Sequence, residues 1–284
     1  MNKFAFLVLH YNNIDETKKC ISSIKEKCKG KTYEIVIVDN LSPNGSGIEI
    51  EKLYESTKNI HVILNKENLG FAKGNNVGFK YIKENIKPDY IIMCNNDTYI
   101  LQEDFCELID NEYKKSSFAI MGPKILLPND KINYYSVDLS NIKKYKIRIL
   151  KYKLNLFILK CPLYNTLKKL KDIVPEKNNQ EINIEQPYSE NVILHGCFLI
   201  FSKKYIDLFD GIDDRTFLYG EEQLLYLRAK KNNLKTIYNP EIIIFHNEHS
   251  STENNTNNRR KKIFYYENSL KSMKFVLEEL KQMK

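Results

Sequence analysis

Three short clusters in this 284-residue sequence carry side chains able to do chemistry. The first is Asn95-Asn96-Asp97-Thr98, which directly follows an apolar run. A hard cation such as Mg2+ or Mn2+ takes oxygen ligands, commonly one or two carboxylates together with substrate phosphates. Asp97 suits that role, and the same four residues also suit an ordinary turn. The second cluster is Glu221-Glu222, just after Tyr219-Gly220. Two carboxylates at a helix start stabilise its positive end, while one of them could instead take a proton from an attacking hydroxyl. The third is His246 with His249, three residues apart at the end of another apolar run. Such a pair is either a metal-ligand pair or part of a solvent-exposed loop.

These residues need elements to position them. Apolar runs at 4–9, 34–38, 60–64 and 90–94 have the length of buried strands. Amphipathic stretches at 15–27, 48–54, 72–84 and 102–115 have helical spacing. Short apolar strands alternating with amphipathic helices specify an α/β fold with a mostly parallel sheet covered on both faces. In such sheets ligands bind beyond the carboxyl ends of the strands. Asn12, Asp39, Asn68 and Asp97 all follow strand ends, so all four are expected to open onto one crevice. Gly70, Gly74 and Gly78 share one helix face, which suits close packing on the sheet more than cradling a phosphate. No GxxxxGK[ST] occurs, and no GxGxxG follows the first strand, which argues against a P-loop and a classical dinucleotide turn.

After residue 139 the character changes. Residues 139–171 contain ten Lys or Arg and no Asp or Glu, interleaved with Leu, Ile, Tyr and Phe. A polar stretch at 176–187 reads as a loop. Strands at 192–201 and 242–245, helices at 205–209 and 221–231, a Ser/Thr/Asn-rich stretch at 250–258 and a helix over 263–280 complete the expected order. The predicted organisation is one α/β unit over 1–258, a basic helical insertion at about 139–187, and a C-terminal amphipathic helix in 259–284.

Composition bounds the function. Hydrophobic residues make up 42% and aromatics 12%, values of a folded globular chain. No apolar run is long enough to span a membrane. The N-terminal run reads as a first strand rather than a signal peptide. The six cysteines show no CxxC spacing and read as reduced thiols, consistent with a cytoplasmic protein. A net charge of +8 favours anionic partners.

In combination the motifs are specific. Leu9-His10-Tyr11-Asn12-Asn13, Ile35-Val36-Ile37-Val38-Asp39-Asn40, Asn68-Leu69-Gly70-Phe71-Ala72-Lys73-Gly74-Asn75-Asn76 and Cys94-Asn95-Asn96-Asp97-Thr98 come first. His195-Gly196-Cys197-Phe198-Leu199-Ile200, Phe217-Leu218-Tyr219-Gly220-Glu221-Glu222 and Phe245-His246 follow. Their order and spacing resemble family 2 glycosyltransferases of the GT-A fold, particularly the rhamnosyltransferase-like branch that builds bacterial surface polysaccharides. The resemblance covers most of residues 3–250 outside the insertion.

That resemblance implies an inverting, metal-dependent transfer of a sugar from a nucleoside diphosphate to a glycan or lipid-linked glycan acceptor. It implies that His10, Asn12 and Asp39 hold the nucleoside. Asn68, Gly70 and Asn75 would shape the floor near the diphosphate and sugar, beside Asn96. Asp97 and His246 would hold Mg2+ or Mn2+, and Glu222, with Glu221 beside it, would be the base. His195 and Gly196 would border the acceptor pocket. Three positions depart from the family pattern: Glu222 stands for the usual Asp, His195 for a small residue, and Leu224 for a second Asp. Nucleotidyl transfer and an inactive glycan-assembly subunit are the alternative functions.

The basic segment at 143–171 reads as an amphipathic stretch suited to anionic lipid, each basic residue adding roughly 1 kcal/mol near the surface. Two readings of the segment stand: a peripheral position of this cytoplasmic protein on the inner face of the cell membrane, or a solvated, flexible insertion. No nucleic-acid module accompanies the charge, so nucleic acid is not expected as a partner.

Overall fold

The computed structural model describes residues 2–128, 131–134, 137–162, 180–182, 186–248 and 259–283. His249, the 250–258 stretch and the 163–171 part of the basic segment lie outside the described residues. Strands and helices alternate through β1 (Lys3–His10), α1 (Ile14–Lys27), β2 (Thr32–Asp39), α2 (Ser46–Tyr54), β3 (Ile60–Leu64), α3 (Gly70–Tyr81) and β4 (Tyr90–Asn95). Next come β5 (Thr98–Ile100), α4 (Phe105–Ser116), β6 (Ile120–Leu126), β7 (Ile132–Tyr134), α5 (Ile142–Lys160), β8 (Gln180–Ile182) and β9 (Ser189–Glu190). The chain continues through β10 (Phe198–Ser202), α6 (Lys203–Ile206), α7 (Glu221–Lys231), β11 (Thr236–His246) and α8 (Arg259–Gln282).

The main strand order is β3-β2-β1-β4-β10-β6-β11-β5. The first four strands run parallel, and β10 enters antiparallel between β4 and β6. Alternation along β1 builds both layers. Phe4, Phe6 and Val8 join a cluster with Cys20 and Ile21 of α1 and Phe105 and Ile109 of α4. Ala5 and Leu7 join the opposite cluster with Phe79 of α3 and Leu225 of α7. The expected α/β sheet with helices on both faces is therefore present. On α3, a Cβ at Gly74 would lie 3.0 Å from Leu9 Cδ1, and one at Gly78 2.2 Å from Leu7 Cδ1. Those glycines let the helix press onto the sheet, whereas Gly70, at its start, faces the Phe217 carbonyl.

A third hydrophobic cluster lies beside this core. It joins Tyr145, Ile149 and Tyr152 of α5, Leu224 and Leu227 of α7, and Met273, Val276 and Leu280 of α8. The insertion helix and the C-terminal helix thus pack on each other and on the helix that opens with Glu221-Glu222.

Several boundaries differ from expectation. β10 starts at Phe198 rather than 192, so His195 and Gly196 lie on a loop ahead of it. β11 begins at Thr236, with a register shift between Asn239 and Ile243 that masks its length in the sequence pattern. β6 was not anticipated, because Gly122-Pro123 resembles a turn. Its pairing with β10 stops at Met121, before the proline whose missing N–H would interrupt it. The expected 176–187 loop contains the short strand β8.

Candidate active site

The parallel ladders align the strand ends. His10 pairs with Asp39, Asp39 with Leu64, and Leu9 with Asn95. Asp39 lies almost wholly buried at this edge, its carboxylate accepting the Ser42 N–H at 3.2 Å and the Ser42 hydroxyl. The first turn of α2 closes over it, and a Cβ on Gly47 would stand 2.3 Å from the Asp39 carboxyl. Asn12 has φ 63°, a left-handed conformation that asparagine tolerates. Its N–H donates to Ser42 Oγ at 2.8 Å, and its Oδ1 is buried without a hydrogen-bond partner among the described residues.

His10 sits beneath this edge rather than on it. It is fully buried, with Nδ1 2.7 Å from Thr17 Oγ1 and Nε2 2.8 Å from Ser46 Oγ. Burial lowers its pKa despite the nearby Asp39 carboxylate. Asn75 is also buried, its amide N–H bonded to the Phe71 carbonyl at 2.9 Å. Asn96 donates to Thr17 Oγ1 at 3.0 Å and to the Asn13 carbonyl at 3.2 Å.

Asn40 holds the neighbouring loop, a role that sequence alone did not single out. Its amide donates to Asn68 Oδ1 at 3.0 Å and to the Gly70 carbonyl at 3.1 Å. Its oxygen accepts from Asn65 Nδ2 and from the Leu69 N–H. All four hydrogen-bonding positions of that amide are used. Gly70 has φ +78°, and a Cβ there would meet the Phe217 carbonyl at 2.4 Å. Only glycine fits.

Asp97 and His246 meet because β5 and β11 pair, with Thr98 opposite His246. His246 Nε2 stands 3.2 Å from Asp97 Oδ1, and both side chains are nearly buried. Burial opposes charge on this imidazole, yet the Cys197 sulfur and the Asp97 carboxylate raise its pKa to about 11. With a cation in place of the imidazolium proton, the pair fits a divalent ion, since adjacent ligands of an octahedral ion at about 2.1 Å stand about 3 Å apart. No group of three His, Cys, Asp or Glu suited to a metal occurs among the described residues. Diphosphate oxygens and water would have to complete the shell.

Cys197 joins this group and was read from the sequence only as one of several scattered thiols. Its burial opposes ionisation, but the His195 and His246 imidazoles pull the thiol down to about 7. His195 Nδ1 accepts the Cys197 N–H at 3.1 Å, and Nε2 lies 3.2 Å from the Asn133 amide. A Cβ at its neighbour Gly196 would lie 3.0 Å from Glu222 Oε1, so any larger residue there would press on that carboxylate.

The two glutamates differ in state. Burial and the Glu222 charge raise Glu221 to about 8, so it holds its proton at neutral pH. Glu221 Oε2 is buried without a hydrogen-bond partner among the described residues. Burial also raises Glu222, opposed by His195 and by the N–H groups of Glu222 and Gly196. Helix-end stabilisation alone would lower both carboxyls, so burial outweighs it here.

A cavity of about 460 Å3 joins these groups. Glu221, Glu222, His195 and His246 line one side. Arg148 and Tyr152 of α5 and Tyr265 and Ser272 of α8 line the other. Ser272 Oγ donates to the Leu218 carbonyl at 3.2 Å, fixing α8 against the turn that precedes Glu221. Helical periodicity located α5 and α8 in the sequence, but no local signal marked them as walls of this cavity.

Comparison with known proteins shows the family and the fold. Residues 6–209 match the model of glycosyl transferase family 2. The chain is 21% identical over 248 residues to the low-salt glycan biosynthesis hexosyltransferase Agl10 of Haloferax volcanii, covering 87% of this chain and 68% of that protein. It is 28% identical over 150 residues to the dTDP-rhamnosyl transferase RfbF of Shigella flexneri, covering 52% of this chain and 45% of that one. Among solved structures, S. aureus TarS 1–349 superposes with a TM-score of 0.53 at 16% identity, covering 87% of this chain and 61% of TarS 1–349. A complex of TarS 1–349 with UDP-GlcNAc matches equally well, with a TM-score of 0.53 over 89% of this chain and 62% of that one. This chain therefore spans about three-fifths of the solved relative and under half of RfbF. The matched span holds the aligned strand ends, Asp97 and the loop carrying His195, and the chain belongs to glycosyl transferase family 2.

Proposed function

We propose that this protein transfers a sugar from a nucleoside diphosphate donor to a hydroxyl of a glycan or lipid-linked glycan acceptor, with inversion, in surface-polysaccharide assembly. Its similarity to a hexosyltransferase and a dTDP-rhamnosyl transferase points to a hexose or rhamnose donor. The carrying observation is convergence: His246, which pairs with Asp97, and the Glu222 carboxylate line one cavity. Asn12 and Asp39 border the nucleoside end, and the buried Asn12 Oδ1 is the kind of acceptor that a base N–H would satisfy. His10 acts from beneath by holding Thr17 and Ser46, and Asn75 Oδ1 is a second buried acceptor without a partner among the described residues.

Asp97 and His246 would hold Mg2+ or Mn2+. When bound, the cation offsets the negative charge that develops on the leaving diphosphate. Glu222 takes the acceptor proton as the hydroxyl oxygen attacks the anomeric carbon, and the nucleoside diphosphate leaves from the opposite face. One displacement inverts the configuration. Glu221 stays protonated, which keeps a second negative charge away from the base. The cavity needs α8 for one wall, so the catalytic unit extends past residue 258.

A panel of nucleotide sugars with Mg2+ or Mn2+, scored by nucleoside diphosphate release, tests the proposal. Turnover of at least one donor that stops with EDTA supports it. Release of pyrophosphate from a nucleoside triphosphate and a sugar phosphate instead would refute it.

A further inference from the structure

Helix α5 has two unlike faces. Tyr145, Ile149 and Tyr152 are buried inward in the third cluster, and Leu159 is buried on the same side. On the outer side, Ile147, Leu150, Leu154 and Phe157 are exposed by 55%, 67%, 56% and 71%. At 3.6 residues per turn these four occupy an arc of only about 80°, nearly opposite the buried face. Lys146, Lys153 and Lys160 border one side of that arc, and Lys144 and Lys151 border the other. All five lysines are exposed, and the helix has no acidic residue.

Exposed large apolar side chains in an unbroken stripe are costly in water and mark a contact surface. A stripe edged by lysines on both sides matches the boundary of an anionic bilayer, where apolar groups enter the acyl edge and ammonium groups meet lipid phosphates. No described helix is long and apolar enough to cross a membrane.

We propose that the outer face of α5 docks the protein on a bilayer rich in anionic phospholipid, with Ile147, Leu150, Leu154 and Phe157 inserted. The inward face of the same helix carries Arg148 and Tyr152, which line the cavity. Docking therefore brings the cavity about one helix diameter from the lipid, roughly 10 Å. That places the lipid-linked acceptor of the proposed reaction beside Glu222. The docking claim itself does not rest on the reaction.

Vesicle flotation of the intact chain tests it, with phosphatidylcholine vesicles and with vesicles containing phosphatidylglycerol. The expected result is binding to the phosphatidylglycerol vesicles that weakens with added salt. The triple variant Leu150→Ser, Leu154→Ser, Phe157→Ser should bind at least tenfold more weakly, with unchanged circular dichroism and unchanged nucleoside diphosphate release in lipid-free solution. Equal flotation of wild type and triple variant would overturn the proposal. So would a wild-type dimer in solution that the triple variant breaks, because a second copy would then cover the stripe. Failure of the glycosyltransfer reading would appear separately, as loss of turnover without any change in flotation.

Discussion

The two sides of the proposed active site, one assigned to the donor and one to the acceptor, are built differently. The donor side, around Asp39, Asn40 and Asn68, rests on parallel strands whose partners follow one another in sequence. Several of its polar groups are tied to neighbours close along the chain, as in Ser42 to Asp39 and Gly70 to Asn68. The acceptor side gathers Arg148, Glu222 and Tyr265 from three helices separated by long stretches of chain. It is also where groups stray from their ordinary protonation, with Glu221 raised to about 8 and Cys197 drawn down to about 7. A regular scaffold can carry a general binding task, whereas the base needs a buried environment that only distant segments assemble.

Breaking the junction between the walls should have the largest effect. Asp97→Ala removes the carboxylate beside His246 and is expected to lower turnover about a thousandfold. Circular dichroism should show the fold retained.

Next in size is the contrast within the acid pair. Glu222→Gln should reduce kcat about a hundredfold or more, with nucleoside diphosphate affinity within about threefold by calorimetry. Glu221→Gln replaces a carboxyl already neutral at pH 7 and should leave kcat within about threefold. The reverse pattern would make Glu221 the base. The pH profile follows from sign. A general base must be ionised, and burial raises Glu222, so kcat should fall as pH drops through a value above the ordinary carboxylate range. In Glu221→Gln no neighbouring carboxylate can form, so this acid limb should not move to higher pH.

Two glycines sharpen the comparison with smaller effects. Gly196→Ala places a methyl group 3.0 Å from Glu222 Oε1. Steady-state kinetics should show kcat down about tenfold with donor KM little changed. Gly47→Ala drives a methyl group into the Asp39 carboxyl on the donor side. There donor KM should rise about tenfold with kcat less affected. If both variants change the same parameter, the division into donor and acceptor walls is wrong.

The same division explains what the sequence revealed. β1 to β4 and α1 to α3 follow clean periods, so the placement of Asp39, Asn68 and Asp97 near strand ends was legible. Asp97 meeting His246 was not implied by spacing, because it depends on β5 pairing with β11 from far along the chain. β6 was hidden by Gly122-Pro123, and His195 was assigned to a strand because the apolar run around it extends past the hydrogen-bonded ladder. Burial of His10 and Asn75 is likewise invisible to motif reading, because the resemblance that singled them out carries no packing information. The tyrosines of α5 and α8 read as ordinary amphipathic residues, and only the packing of those helices on α7 makes them walls of the cavity.

The central claim is that Asp97 and His246 carry a divalent cation that binds the donor's diphosphate. Calorimetric titration of UDP and dTDP, with and without Mn2+, into wild type and Asp97→Asn tests it most directly. The account predicts that Mn2+ strengthens binding of at least one nucleotide tenfold or more in wild type and leaves Asp97→Asn unchanged. An equal Mn2+ enhancement in both proteins would contradict it.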